Sequence, residues 1–274
     1  MSEELLQQAI DYRDECDALS ALLEGLDDEA LRQTTGFRCW TINDVIAHLY
    51  LFDRAADLTL TDERAFAMLW GELATALGKG ATLRNFAEQW LAGVEGAELV
   101  ARWRGFYPEL AGRYATAEPK RRLKWAGPDM SVRSCITARH METWAHGLAV
   151  YDLLGVGRLD TDRIRNIVIL GVNTFGWTYA NRGLKVPAAM PGLSLAAPSG
   201  EIWDWPTPDD GSHIRGTATA FCQVVTQTRN VSDTELDVVG ETARQWMAMA
   251  QCFAGPPAVP PAPGTRGPRR PADA

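Results

Sequence analysis

The sequence predicts a mainly α-helical protein, with an up-and-down helical bundle over residues 1–185 and a small α+β domain over residues 186–254. Two observations lead to this fold class. Apolar side chains recur at helical spacing through about residue 182, and from Val186 onward short apolar runs alternate with prolines and glycines. The composition, with 46% hydrophobic and 23% charged residues, is that of a globular protein.

The first two helices are predicted from an apolar stripe and from a start signal. In the first helix, apolar side chains alternate steps of four and three residues, at Leu5, Ala9, Tyr12, Cys16, Leu19 and Leu23. The second helix begins at Thr41, because Thr41 and Asp44 have the spacing of a capping box, with Asp in place of the usual Glu. Trp40 and Val45 occupy the positions of a hydrophobic staple around this start.

Further helices follow from the same periodicity. We expect one from Asp62 to Leu77 and one from about Thr82 to Phe106, ending before Pro108, because proline breaks a helix interior. The clearest pattern begins at an N-cap, Ser131, and closes at Gly155, which suits a left-handed C-terminal cap. Another helix is predicted from about Thr161 to Asn181.

The C-terminal part combines short strands with short helices. Residues 193–196 and 201–205 have the pattern of strands, and helical periodicity returns at about 217–229 and 240–253. Residues 255–274 contain seven prolines among 20 residues and few apolar side chains, so they are predicted to be a disordered tail.

Charge and cysteine usage exclude several classes of protein. The formal net charge is −8, opposite to the basic surface of a nucleic-acid-binding protein, so nucleic acid is excluded as the main partner. The five cysteines are scattered and never form C-x-x-C, which favours reduced, buried thiols. The N-terminus lacks a signal-peptide layout, and no apolar stretch approaches the roughly 20 residues that span a bilayer. We therefore expect a cytoplasmic protein without a membrane partner.

Two histidines and a glutamate are placed to converge. Glu142 and His146 are four residues apart and so lie on one face of a predicted helix, and His48 lies on the apolar face of the second helix. If the two helices are neighbours, the three side chains form a two-histidine, one-carboxylate metal site with open positions. Alternatively, Glu142 and His146 are a solvated pair and His48 is a hydrogen-bonded core histidine. His140, two residues from Glu142, is excluded from the metal set.

Two segments carry a family resemblance. WTINDVIAHL, at residues 40–49, resembles the W-[ST]-x-x-[DE]-[VL]-x-x-H-[LI] signature of DinB-like metal-binding bundles, specifically the mycothiol-dependent maleylpyruvate isomerase branch. RHMETWAHG, at residues 139–147, is similar to that branch's R-x-x-E-x-x-x-H element. Residues 216–255 resemble, more weakly, the small domain that follows such bundles. The resemblance implies a four-helix bundle with one divalent ion on His48, Glu142 and His146, zinc first, with nickel, iron and manganese as alternatives.

Two arginines are candidate substrate-binding residues. The resemblance implies that Arg229, near the end of a C-terminal helix, meets a substrate carboxylate, although Thr228-Arg229 replaces the family's Gly-Arg ending. Arg139, three residues before Glu142, can hold an anionic substrate or form a structural ion pair with a bundle carboxylate, and the sequence leaves both roles open.

The predicted activity depends on the ion and on an external thiol. A divalent ion lowers the pKa of a bound thiol, and the sequence offers no well-placed cysteine apart from Cys135, so we expect a small thiol cosubstrate, which the resemblance implies is mycothiol. The first hypothesis is a metal-dependent thiol transferase or isomerase acting on a small electrophilic metabolite. The alternatives are a hydrolase or lyase that uses metal-activated water, and a non-catalytic metal- or ligand-binding protein.

Overall fold

The computed structural model describes residues 5–125 and 127–268, and it confirms the predicted fold class of a mainly α protein with a small α+β part. The chain divides after Leu153 into two compact units, Met1–Leu153 and Leu154–Ala274. In the part of the chain that the structure describes, none of the helices has both the length and the apolar character needed to cross a membrane.

The first unit is a helical bundle. Its elements are α1 (Gln7–Leu22), α2 (Asp28–Leu31), α3 (Ile42–Thr61), α4 (Glu63–Gly78), α5 (Leu83–Leu91), α6 (Gly96–Ala115), the short antiparallel strands β1 (Arg122–Leu123) and β2 (Met130–Ser131), and α7 (Val132–Leu154). Helix α6 packs against α1 and α3, and α3 also packs against α4 and α5. Helix α7 is tied to α6 by a hydrogen bond between the Tyr114 hydroxyl and Cys135 Sγ, which lie 3.2 Å apart.

The start of α3 is fixed by local hydrogen bonds. Thr41 Oγ1 accepts from the Asp44 backbone N–H at 3.1 Å, and the Asp44 carboxylate accepts from the Thr41 backbone N–H at 2.8 Å. This is the predicted capping box. Because the cap sets the first turn, it also sets which side chains of α3 point into the bundle, including His48.

The prediction of one helix ending before Pro108 was wrong. Ala92, in the left-handed conformation, ends α5, and a new helix, α6, runs from Gly96 to Ala115 with Pro108 inside it. Proline costs roughly 3 kcal/mol in a helix interior. Burial of the following turns outweighs this cost, because Leu110 and Tyr114 are fully buried and the Tyr114 hydroxyl donates to the Ala56 carbonyl at 2.8 Å.

The second unit combines helices with one four-stranded sheet. Its elements are α8 (Arg165–Asn173), α9 (Phe175–Ala180), β3 (Gly192–Ala196), β4 (Ile202–Trp205), β5 (His213–Thr217), α10 (Ala218–Val225), β6 (Asp237–Val239) and α11 (Glu241–Met247). The strand order is β4-β3-β5-β6, with β3 and β5 parallel and the other two pairs antiparallel. Leu193, Leu195 and Ile214 are buried on one face, whereas Arg215 is on the other and exposed.

The unit boundary lies earlier than the predicted boundary at residue 185. Helices α8 and α9 belong to the second unit, where α8 packs against α10. Gly171 of α8 permits this contact, because a Cβ at that position would lie 3.0 Å from the Phe221 ring and 3.1 Å from Val225. Helical periodicity reveals an apolar face but not the element that the face packs against.

The prediction of a disordered tail is wrong for residues 255–268, and residues 269–274 lie outside the described part of the chain. The tail backbone is held by side chains of the second unit. Arg182 Nη2 donates to the Ala258 carbonyl at 2.7 Å, Asn230 Nδ2 donates to the Pro261 carbonyl at 2.8 Å, and the amides of Gln227 and Gln251, both buried, also bond to this segment. Polar contacts from distant residues therefore compensate for the scarcity of apolar side chains.

Candidate metal centre

The three predicted ligands meet in the interior of the first unit. His48 Nε2 lies 3.3 Å from Glu142 Oε2, and His146 Nε2 lies 3.1 Å from the same oxygen. One candidate ligand atom from each residue lies within 4.8 Å of the others. Among residues 5–125 and 127–268, this is the one group of three or more His, Cys, Asp or Glu side chains that could share an ion.

Two helices carry the site. His48 is on the buried face of α3, two turns after its capped start, and Glu142 and His146 are one turn apart on α7. The side chains of the two histidines are 11% and 12% exposed and that of Glu142 is 23% exposed, so the cluster is largely shielded from water but not closed. This partial access suits a site that must admit a ligand.

The protonation states suit metal binding. Burial, followed by the neighbouring His146, lowers the pKa of His48 to about 4, so its imidazole is neutral at pH 7. Burial by itself would raise the pKa of Glu142, but the hydrogen bonds from His146 and His48 outweigh burial and hold that pKa well below its usual range. A neutral imidazole and an ionised carboxylate are the forms that bind divalent ions.

Aromatic rings surround the two imidazoles. Trp40 stacks nearly parallel to His146 with ring centroids 5.6 Å apart, and Phe37 meets the same imidazole edge-on at 4.9 Å. Phe52, one turn beyond His48 on α3, lies 4.8 Å from the His48 ring. The sequence predicts Trp40 in a staple at the helix start and in the family-like segment at residues 40–49, but not its contact with His146. These rings fix the orientation of the imidazoles and exclude water from one side of the site.

The turn before α3 presents two of these rings. The Thr35 backbone N–H donates to the Trp40 carbonyl at 2.7 Å, and the non-glycine residues Arg38 and Cys39 adopt the left-handed conformation, with φ of 49° and 56°. Such residues cost of order 1 kcal/mol each and persist where surrounding contacts fix them. Here the contacts are those of Phe37 and Trp40 with His146.

Arg139 is buried in the first unit and paired with a carboxylate. Its side chain is 2% exposed, and its Nε donates to Asp53 Oδ1 at 2.9 Å, a carboxylate that is itself fully buried. These contacts favour the structural ion pair over the substrate clamp, since the guanidinium is withdrawn from solvent. Sequence reasoning missed Asp53, although a signal was available: Asp53 follows Leu49 by four residues and so lies on the apolar face of α3, where a carboxylate needs a partner.

Arg229 lies in the second unit, beyond the end of α10. It is 8% exposed, and its Nη1 donates to the carbonyl of Thr228 at 3.0 Å. The adjacent Gln227 has a left-handed backbone, with φ of 56°, which turns the chain after the helix. The predicted contact of Arg229 with a substrate carboxylate stays a prediction.

The buried cysteine nearest to Glu142 along α7 is not an activated nucleophile. Cys135 is fully buried, and burial raises the pKa of its thiol to about 11. A thiol with this pKa is almost entirely protonated at neutral pH, whereas the thiolate is the reactive form.

His140, which its spacing excludes from the metal set, is also buried. Its Nε2 lies 3.9 Å from Glu15 Oε2, and it is not a member of the three-residue cluster.

Comparisons with known proteins identify the family and agree with the fold. Residues 12–151 match the family model described as the mycothiol maleylpyruvate isomerase N-terminal domain. Two uncharacterised proteins of Mycobacterium tuberculosis, from strains CDC 1551 and H37Rv, are each 40% identical to this chain over 247 residues, covering 90% of this chain and 95% of the relative.

Two solved structures share the fold. The crystal structure of the mycothiol-dependent maleylpyruvate isomerase aligns with a TM-score of 0.54 and 14% identity over 86% of this chain and 92% of that chain. A histidine-to-alanine mutant of the same isomerase aligns with a TM-score of 0.52, at the same identity and coverage. The fold is therefore the DinB-like bundle with a small α+β part that the sequence predicted.

Proposed function

This chain belongs to the mycothiol maleylpyruvate isomerase family, and on that premise we propose that it is a metal-dependent thiol transferase or isomerase. It would use a mycothiol-type thiol and act on a small electrophilic substrate. The observation that carries the proposal is the convergence of His48 Nε2 and His146 Nε2 on one oxygen of Glu142. We propose that these three atoms hold one divalent ion, zinc first among nickel, iron and manganese.

The ion would supply one chemical capability. When bound, a divalent ion lowers the pKa of a coordinated thiol, so that the thiolate persists at neutral pH beside an electrophile. The donor set fits this role, because two neutral imidazoles and one carboxylate leave coordination positions open. The Glu142 carboxylate also neutralises part of the charge of the ion.

Residues around the proposed ion set the protonation state and the surroundings of its ligands. The low pKa of His48 keeps its imidazole free to act as a ligand at pH 7. Phe37, Trp40 and Phe52 hold both imidazoles and exclude water, which strengthens electrostatic interactions at the site. Because the pKa of Cys135 is raised to about 11, the nucleophilic thiol is expected to come from outside the chain.

A substrate-binding role for Arg229 is a separate part of the proposal. A guanidinium would hold a substrate carboxylate through two parallel hydrogen bonds, and lysine keeps the charge but loses this fork. We expect Arg229→Lys to raise KM for an anionic substrate while the metal content stays unchanged. An unchanged KM would refute a substrate-binding role for Arg229.

The decisive experiment measures metal content and thiol consumption together. His48→Ala, Glu142→Ala and His146→Ala should each lose most of the bound ion, measured by elemental analysis of protein purified without an affinity tag. Unchanged metal stoichiometry in all three variants would refute the site.

The metal-loaded protein should consume mycothiol across a panel of electrophiles. Turnover with water alone would indicate a hydrolase or lyase instead, and no turnover with either would indicate a binding protein.

A further inference from the structure

A buried ion pair joins the two helices that carry the proposed ligands. We propose that Asp53 on α3 and Arg139 on α7 form a positioning clamp, which holds the two helices in the register that brings His48 to Glu142 and His146. This inference rests on the proposed function, because the clamp acts through that metal site and touches neither ion nor substrate.

Three hydrogen bonds form the clamp. Arg139 Nε donates to Asp53 Oδ1 at 2.9 Å, and Arg139 Nη2 donates to the Leu49 carbonyl at 3.3 Å. Asp53 Oδ2 accepts from the Trp103 indole N–H of α6 at 3.1 Å. The carboxylate is thus anchored to a third helix while it holds the guanidinium, and a planar guanidinium fixes direction as well as distance.

The clamp lies next to the proposed metal ligands on both helices. Leu49 directly follows His48, so the Nη2 bond holds the backbone of α3 beside that ligand. Arg139 precedes Glu142 by three residues, so it lies about one turn away on the same side of α7. A slip of either helix would break these bonds and separate His48 from the Glu142 carboxylate.

Charge supports a positioning role over a merely stabilising one. Asp53 is 0% and Arg139 2% exposed, and a buried ion pair of this kind is often replaced by apolar residues without loss of stability. The carboxylate also neutralises a guanidinium that would otherwise repel a divalent ion one turn away. The ion pair therefore sets the geometry and the charge near the metal site, which an apolar pair in its place would not do.

The test separates positioning from stability. The double variant Asp53→Leu with Arg139→Met removes both charges, and Leu110→Ala removes a fully buried side chain of α6 as a matched control for lost stability. Each protein is titrated with Co²⁺ after metal removal, and the visible absorption bands report affinity and coordination geometry. Urea unfolding of the metal-free proteins reports stability.

The clamp predicts opposite patterns in the two variants. The double variant should stay folded but bind Co²⁺ about 10-fold or more weakly, with altered bands, because outer-shell partners typically contribute 10- to 100-fold. Leu110→Ala should lose stability and keep the wild-type Co²⁺ affinity and bands. Wild-type affinity and bands in the double variant, or an equal loss in Leu110→Ala, would overturn the clamp.

Two further outcomes are decided in advance. If the double variant does not fold, Arg139→Lys, which keeps both charges but loses the planar fork, takes its place: weakened binding with altered bands supports the clamp, and unchanged binding and bands overturn it. If the wild-type protein itself takes up no Co²⁺, the proposed function fails and the clamp falls with it.

Discussion

Acid should destabilise the metal-free protein through His48. Burial, followed by the nearby His146, lowers the pKa of this imidazole from 6.5 to about 4. The unfolded chain therefore takes up a proton near pH 6.5 that the folded chain refuses until about pH 4. Because the unfolded state binds more protons in this window, the free energy of unfolding falls as the pH falls.

The size of the effect follows from the two pKa values. With about 6.5 in the unfolded state and about 4 in the folded state, linkage gives a loss of about 2 kcal/mol between pH 7 and pH 5, and about 3 kcal/mol by pH 4. The Glu142 carboxylate, whose pKa is held well below its usual range, acts in the same direction, but only below about pH 5. The interval from pH 7 to pH 5 therefore separates the contribution of His48 from that of Glu142.

Urea unfolding of the chelator-treated protein at pH 7, 6 and 5 measures this loss. His48→Gln should make the slope smaller, because glutamine does not titrate. Equal slopes for the wild type and His48→Gln would show that the imidazole titrates alike in both states. The lowered pKa of His48 in the folded state would then be refuted.

Three other predictions concern the remainder of the chain. A chain ending at Gly255 should be less stable to urea than one ending at Pro268 by about 1–3 kcal/mol, because two buried glutamine amides each lose one of their acceptors, the Ala258 and Pro256 carbonyls. Equal stability would mean that the tail contacts contribute nothing. Thr41→Ala should cost about 1 kcal/mol through loss of the capping box, and an unchanged urea midpoint would contradict that role. A disulfide reagent such as Ellman's should rapidly label one thiol per chain, that of the exposed Cys39, because Cys135 and the other cysteines are buried. Cys39→Ser should abolish this rapid phase, and a second rapid phase would contradict the burial of the other thiols.

The sequence by itself determined the features that depend on neighbouring residues. The capping box of Thr41 and Asp44 joins groups three residues apart, and the α7 pair, Glu142 and His146, is four residues apart, so both are encoded in one turn of helix. The phase of His48 on the apolar face of α3 follows from the same local periodicity. These local signals, with the two family-like segments, were sufficient to predict the bundle and the three candidate ligands.

Only the tertiary structure decided which distant groups meet. His48 and Glu142 are separated by 94 residues, and Arg139 and Asp53 by 86, so no local pattern could assign Arg139 to an ion pair instead of a substrate. Helix α6 continues past Pro108, and residues 255–268 are ordered, because packing and hydrogen bonds from residues far along the chain outweigh local preferences. Propensity contributes tenths of a kcal/mol per ordinary residue, whereas burial and buried polar contacts contribute more, and those depend on partners that the sequence does not place side by side.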